Sequence, residues 1–159
     1  MAMPRTLLFI AAIGAGLAHA APADDFDACA VFTQPDAEKA LATTLAGEAV
    51  NPKAKRPRVV TNCTYTGFKD GKPVEAKVQF RFGKAAAEVQ RAFDEEKLKT
   101  ATKPMLISGT DSAFWSQRTG LMHLRKGATW VVIQVGAPKP AERELDPHRA
   151  VAEVLAKKL

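Results

Sequence analysis

Apolar and polar residues alternate most regularly in the middle of the chain, where two segments have the period of two that is typical of β-strands. These segments, residues 59–68 and 74–82, are separated by Asp70-Gly71, a signal for a tight hairpin. In the second segment the apolar residues share one face, and the other face carries Glu75, Lys77, Gln79 and Arg81. The pattern predicts a sheet with one covered face and one solvated face.

A second strand-rich region follows nearer the C-terminus. Strands predicted at residues 114–118, 121–125 and 128–135 are joined by turns at Gly120 and Gly127, which makes a three-stranded meander. A further short strand is predicted at residues 106–108, after the break at Pro104.

Three segments have the spacing of amphipathic helices: residues 35–46 between Thr33 and Gly47, residues 84–100, and a last helix capped by Asp146 with Pro147 at its first position. The order predicts an α+β fold, with a single antiparallel sheet of about five to six strands and two to three helices packed on one face. Each half starts with a helix followed by glycine-turned strands, which raises the hypothesis of a weak internal duplication.

The N-terminus has the features of an export signal. Arg5 precedes an apolar run over residues 7–17, and Ala18-His19-Ala20 offers small residues at the positions that signal peptidase requires. We therefore expect a signal peptide at residues 1–20, a flexible leader at 21–28 and one domain at 29–159. The apolar run is shorter than the roughly 20 residues of a membrane span, so no membrane span is predicted. An acidic residue near Cys29 argues against lipid attachment there.

An oxidising compartment would favour a disulfide between the two cysteines of the exported part, Cys29 and Cys63. They are far apart in the sequence, so the bond is predicted to be structural, unlike the catalytic Cys-x-x-Cys pairs. With His19 removed, only His123 and His148 could join them as ligands, and no metal site is predicted.

The formal net charge is +6, which permits a polyanionic partner without requiring one. The densest basic cluster stands among prolines, which predicts either a solvated loop or an anion-binding patch. Its members are Lys53, Lys55, Arg56 and Arg58.

No catalytic or cofactor motif is present, so no catalytic residue and no cofactor are predicted. His123 is expected on a strand, facing outward or half-buried, and His148 on the surface in the first turn of the last helix. Trp115 and Arg118 form a candidate binding surface, for which core packing of Trp115 is the alternative. Trp130 is expected in the core.

Several short patterns resemble a loose class of uncharacterised exported bacterial proteins, many of them lipoproteins. They are Cys29-Ala-Val-Phe-Thr33, Cys63-Thr-Tyr65, Asp111-Ser-Ala-Phe-Trp115 with Thr119-Gly120, and Lys126-Gly-Ala-Thr-Trp130. The resemblance spans residues 29–159 and implies shared structure, but no functional residue.

The leading hypothesis is an exported periplasmic or secreted domain, not an enzyme, that binds a protein or cell-envelope component through its exposed sheet face or basic loop. One alternative is a small secreted hydrolase, which would need a deep pocket with His123 or His148 beside a nucleophile. Another is an electrostatic binder of anionic glycan or, less favoured, nucleic acid, whose affinity would fall steeply with salt. Partner identity and oligomeric state are left open.

Overall fold

The computed structural model describes residues 26–45 and 60–159. Six antiparallel strands form one sheet in the order β1-β2-β6-β5-β4-β3. The strands are β1 Val60–Lys69, β2 Lys72–Phe82, β3 Thr102–Met105, β4 Ser112–Ser116, β5 Leu121–Lys126 and β6 Thr129–Gly136. The helices are α1 Ala28–Val31, α2 Gln34–Leu41, α3 Ala86–Lys99 and α4 Leu145–Lys158, with a short 3-10 helix at Pro140–Glu142. The predicted α+β fold with a single antiparallel sheet is confirmed.

The hairpin of β1 and β2 forms as its sequence pattern predicts. The strands pair from Val60 opposite Arg81 to Lys69 opposite Lys72. In the turn, Asp70 and Gly71 have φ angles of 52° and 73°, which match the right-handed twist of the flanking strands. The apolar face of β2 is buried, and we call this side of the sheet the inner face.

Helices lie on both sides of the sheet. The inner face is covered by α1, α2 and α4, which confirms the prediction of two to three helices on one face. The remaining described helix, α3, packs on the opposite, outer face, where Val89 and Phe93 are buried against Phe114 and Trp130. The two helices that begin the proposed repeats, α2 and α3, therefore lie on opposite faces.

Two helix ends differ from their predicted positions. Thr33 caps α2 as expected, in a capping box with Asp36, but the helix ends at Leu41 because Ala42 adopts a left-handed φ of 51°. The last helix begins after Glu144, so Asp146 lies in its first turn and is not the cap. An acidic side chain in that turn still interacts favourably with the helix dipole.

The prediction of a strand at residues 106–108 is wrong. β3 ends at Met105, and Leu106 is 94% exposed. Pro104 lies within β3, at the edge of the sheet. An edge strand tolerates proline where its missing N–H would face away from the neighbouring strand.

The disulfide Cys29–Cys63 joins α1 to β1 with a Cα–Cα distance of 5.1 Å, as predicted. The fold begins slightly earlier than expected. The ring of Phe26 packs against Phe80, with a centroid distance of 4.8 Å, Asp27 caps α1, and Ala28 is fully buried. These three residues belong to the domain and not to the leader. Residues 1–25, with the predicted signal peptide, lie outside the described part of the chain.

Gly120 permits the close turn between β4 and β5. It has a φ of 58°, and a Cβ there would lie 2.6 Å from the carbonyl oxygen of Pro140. The adjoining segment is held by Arg143, whose guanidinium donates to the carbonyls of Thr119, Ala137 and Pro138.

We therefore expect Gly120→Ala to lower the free energy of unfolding by about 3 kcal/mol, measured by urea denaturation. Gly127→Ala is the matched control, since Gly127 has a φ of 56° but nothing within 4 Å of the added Cβ. It should cost about 1 kcal/mol, from backbone strain alone. Equal losses in the two variants would contradict the steric explanation.

Candidate functional site

Arg81 is held in a fixed position on the outer face of the sheet. It lies on β2 opposite Trp130 of β6, and its guanidinium carbon is 4.3 Å from the centroid of the indole ring. Its Nε–H donates to Gln79 Oε1 at 2.8 Å. Within residues 26–45 and 60–159, neither Nη group has a hydrogen-bond or ion-pair partner.

The electrostatic state of Arg81 follows from this position. Burial lowers the pKa of the half-buried guanidinium, and the charge of Glu96 acts in the opposite direction. The cation has therefore lost part of its hydration without gaining a directly contacting carboxylate among the described residues. An external carboxylate could supply two parallel charge-assisted hydrogen bonds to such a group.

Arg81 forms one wall of a small depression, which we call the Arg81 concavity. It has a volume of about 150 Å³. Its lining consists of two cations, two amides and two apolar residues, namely Lys77, Arg81, Gln79, Gln134, Leu121 and Val132. The cross-strand pairs Lys77–Gln134 and Gln79–Val132 place these side chains in neighbouring rows. The concavity is therefore cationic at one side and apolar at its base.

His123 supports this site from beneath α3. Its ring stacks on Phe114 at a centroid distance of 4.4 Å, and its Nδ1 accepts a hydrogen bond of 3.2 Å from Trp130 Nε1–H. Burial, together with the charge of Arg81, lowers the pKa of His123 to about 3. The neutral ring thus orients Trp130, on which Arg81 rests. The expected outward or half-buried position is corrected: His123 is 3% exposed because α3 covers it.

His148 is also buried, not on the surface as predicted. Val135 N–H donates to its Nε2 at 2.9 Å, so Nδ1 carries the proton and donates to the Glu144 carbonyl at 2.6 Å. Burial lowers its pKa to about 4, against the opposing effect of the Glu144 bond. Since both ring nitrogens bind backbone atoms, His148 ties α4 to β6 and is not placed to accept a substrate proton.

The predicted aromatic surface does not form. Trp115 is buried on the inner face, where its ring lies 4.7 Å from that of His148, so core packing is the correct alternative. Arg118 is exposed in the turn after β4 and does not share a surface with Trp115. The four residues of the basic cluster, Lys53, Lys55, Arg56 and Arg58, lie outside the described residues.

A larger groove of about 460 Å³ lies at the turn end of the β1–β2 hairpin. Its lining includes the exposed ring of Phe68, and Glu75 is the one ionisable residue in its described lining. The Glu75 carboxylate already accepts a hydrogen bond of 2.8 Å from Gln134. The groove therefore lacks the uncommitted charge that distinguishes the Arg81 concavity.

No known protein family, curated protein or solved structure matches the chain. In the described part of the chain, no group of histidine, cysteine and acidic side chains is arranged to hold a metal ion. No helix there is long and apolar enough to cross a membrane.

Proposed function

We propose that the protein is an exported binding domain, not an enzyme, that recognises an acidic group of a protein or cell-envelope component through the Arg81 concavity. The observation that carries the proposal is the state of Arg81. Its guanidinium is fixed by Trp130 and Gln79, is half-buried, and has both Nη groups without a partner within the described residues.

Fixing the guanidinium in advance favours binding because less side-chain entropy is lost when the ligand arrives. The nearby Lys77 adds a second positive charge. Glu75 on the same strand face accepts a hydrogen bond from Gln134, and the charge of Glu96 acts on Arg81. Neither carboxylate lines the concavity, whose two charged lining residues are both cations, and this suits a carboxylate ligand.

Export is supported by the N-terminal pattern of the sequence and by the disulfide, which is typical of proteins in oxidising compartments. The intact mass of the native protein tests this part of the proposal. We expect an N-terminus near Ala21 and no free thiols. A retained Met1 with two titratable thiols would reject it.

The hydrolase alternative required a deep pocket with a histidine beside a nucleophile. Neither His123 nor His148 lines the Arg81 concavity or the larger groove. Each histidine is buried, and neither forms a hydrogen bond with a hydroxyl group of the described residues. The geometry around these two residues therefore favours the binding proposal over the hydrolase.

Arg81→Gln should weaken the binding of an acidic probe such as hexaglutamate by about 10- to 150-fold. The physical reason is the loss of a charge-assisted hydrogen-bond pair, which is worth about 1.5 to 3 kcal/mol. The two tryptophans report the site by NMR, since Trp130 contacts Arg81 and Trp115 lies on the inner face. We expect the indole N–H signal of Trp130 to shift on titration and that of Trp115 to stay fixed.

Arg149→Gln is the matched control, because Arg149 is an exposed arginine on α4 that pairs with Glu153. It makes the same change in net charge on the other side of the sheet and should leave affinity unchanged. Equal weakening by both variants would show a diffuse electrostatic effect and would contradict the proposed site. A steep fall of affinity with salt would favour the polyanion alternative, because a site with two cations predicts a shallow one.

A further inference from the structure

The hydrogen-bonding groups around the Arg81 concavity define the ligand more narrowly than its charge does. Gln79 uses its amide oxygen to accept from Arg81, and Gln134 uses its amide nitrogen to donate to Glu75. Within the described residues, the Gln79 amide nitrogen and the Gln134 amide oxygen have no hydrogen-bond partner. One donor and one acceptor are therefore available in the lining that Gln79 and Gln134 share with Arg81.

The base of the concavity adds an apolar requirement. Val132 lies between Gln79 and His123 in the cross-strand register. Leu121, the first residue of β5, lines the same concavity. The volume of about 150 Å³ is below the roughly 300 to 1,000 Å³ of pockets that enclose whole small molecules. The concavity therefore fits the end of a larger ligand or one compact apolar group.

We infer that the ligand group is a carboxylate attached to a carbon that also bears an amide N–H and a compact apolar side chain. This is the chemistry of the C-terminal residue of a peptide, and also of an N-acylated amino acid. The carboxylate binds the Nη groups of Arg81, the amide N–H donates to the Gln134 oxygen, and the side chain covers Leu121 and Val132. The inference rests on the proposed function and specifies its ligand.

Other anions would interact with only some of the residues that line the concavity. Inorganic phosphate has no apolar part, so it would leave Leu121 and Val132 in contact with water. An acidic sugar would place hydroxyl groups against this apolar base, where their desolvation is costly. A C-terminal residue satisfies the cation, the amide oxygen and the apolar base together.

The test is an NMR titration of the disulfide-bonded domain with the pentapeptide Gly-Ser-Gly-Ser-Leu, observing the Trp130 indole N–H. The same peptide with a C-terminal amide should bind at least tenfold more weakly, and so should Gly-Ser-Gly-Ser-Gly. Arg81→Gln should also reduce affinity for the leucine acid at least tenfold, with Arg149→Gln unchanged. Leu121→Ser should reduce the preference for leucine over glycine.

A parallel titration with N-acetyl-leucine distinguishes the two sources of this chemistry. Equal affinity indicates a free N-acyl amino acid, and tighter binding of the pentapeptide indicates a polypeptide C-terminus; both outcomes support the inference. Equal binding of the acid and amide peptides would overturn it. If hexaglutamate or phosphate binds in an Arg81-dependent way and the leucine acid does not bind, the inference is wrong and the proposed function stands. If none of these anions binds, both are wrong.

Discussion

Replacing Cys29 and Cys63 together by alanine should lower the free energy of unfolding by about 3 to 4 kcal/mol. The disulfide closes a loop between residues separated by 34 positions, and removing it gives the unfolded chain more conformational freedom. A loss of this size is a large part of the free energy of unfolding of small domains, which is roughly 5 to 15 kcal/mol. Urea denaturation of the oxidised wild type and the double variant measures it.

In the double variant, the segment that the disulfide holds should unfold locally before the whole domain unfolds. Besides the disulfide and apolar packing on the inner face, residues 26–45 are held by the Tyr65 hydroxyl, which donates to the Phe32 carbonyl, and by the ion pair of Lys158 with Asp36. Hydrogen exchange should therefore show α1 and α2 opening first in the variant, while β5 and β6 stay protected. Chemically reduced wild type is the control and should behave like the variant. A change below about 1 kcal/mol would contradict the loop-closure explanation.

The strands could be predicted because their signals are local. In β2 the period of two separates Val78 from Lys77, and the turn at Asp70-Gly71 needs only neighbouring residues. Glycines with positive φ likewise lie in the turns of the meander, at Gly120 and Gly127. Pro104 misled the prediction because its effect depends on whether its strand lies at a sheet edge, which local sequence does not specify.

The sequence pattern did not predict that α3 covers part of the outer face, and so it did not predict that His123 is buried. A signal was present in β6, where the residues from Trp130 to Ile133 are apolar without alternation and all are buried. Such a run is typical of a strand covered on both faces. His148 had no comparable signal, because its burial depends on a bond to the backbone of β6, far from it in sequence.

The candidate site was predictable only in part. Alternation along β2 correctly placed Arg81, Gln79 and Lys77 on the polar face. The contact between Arg81 and Trp130 depends on the register of β2 with β6, which are far apart in sequence. That long-range pairing turns an ordinary solvated arginine into a fixed cation beside an apolar base.

Stability should fall as the pH is lowered from 6.5 to 4.5, because both buried histidines are neutral in the folded state. Their folded pKa values are about 3 for His123 and about 4 for His148, below the ordinary 6.5. Between the folded and unfolded values the unfolded chain binds more protons, so the free energy of unfolding decreases as pH decreases. Each histidine contributes a slope of up to about 1.4 kcal/mol per pH unit. The expected total loss is a few kcal/mol, and this contribution is fully present only above pH 6.5.

Urea denaturation at several pH values across this window measures the slope. The window lies above the pH range in which Asp36, with its lowered pKa, begins to be protonated. His148→Gln should be less stable than wild type at pH 7 because one terminal amide cannot bond both the Val135 N–H and the Glu144 carbonyl, which the two ring nitrogens bind from different sides. Its pH slope should nevertheless be about half as steep. His123→Phe, which keeps an aromatic ring against Phe114, should flatten the slope similarly. NMR titration of the wild-type histidine rings gives an independent check, in which neither ring titrates above pH 5 while the protein is folded. A ring titrating near pH 6.5 would show that its nitrogen reaches solvent, and the assigned role of that histidine in fixing the core or orienting Trp130 would then be wrong.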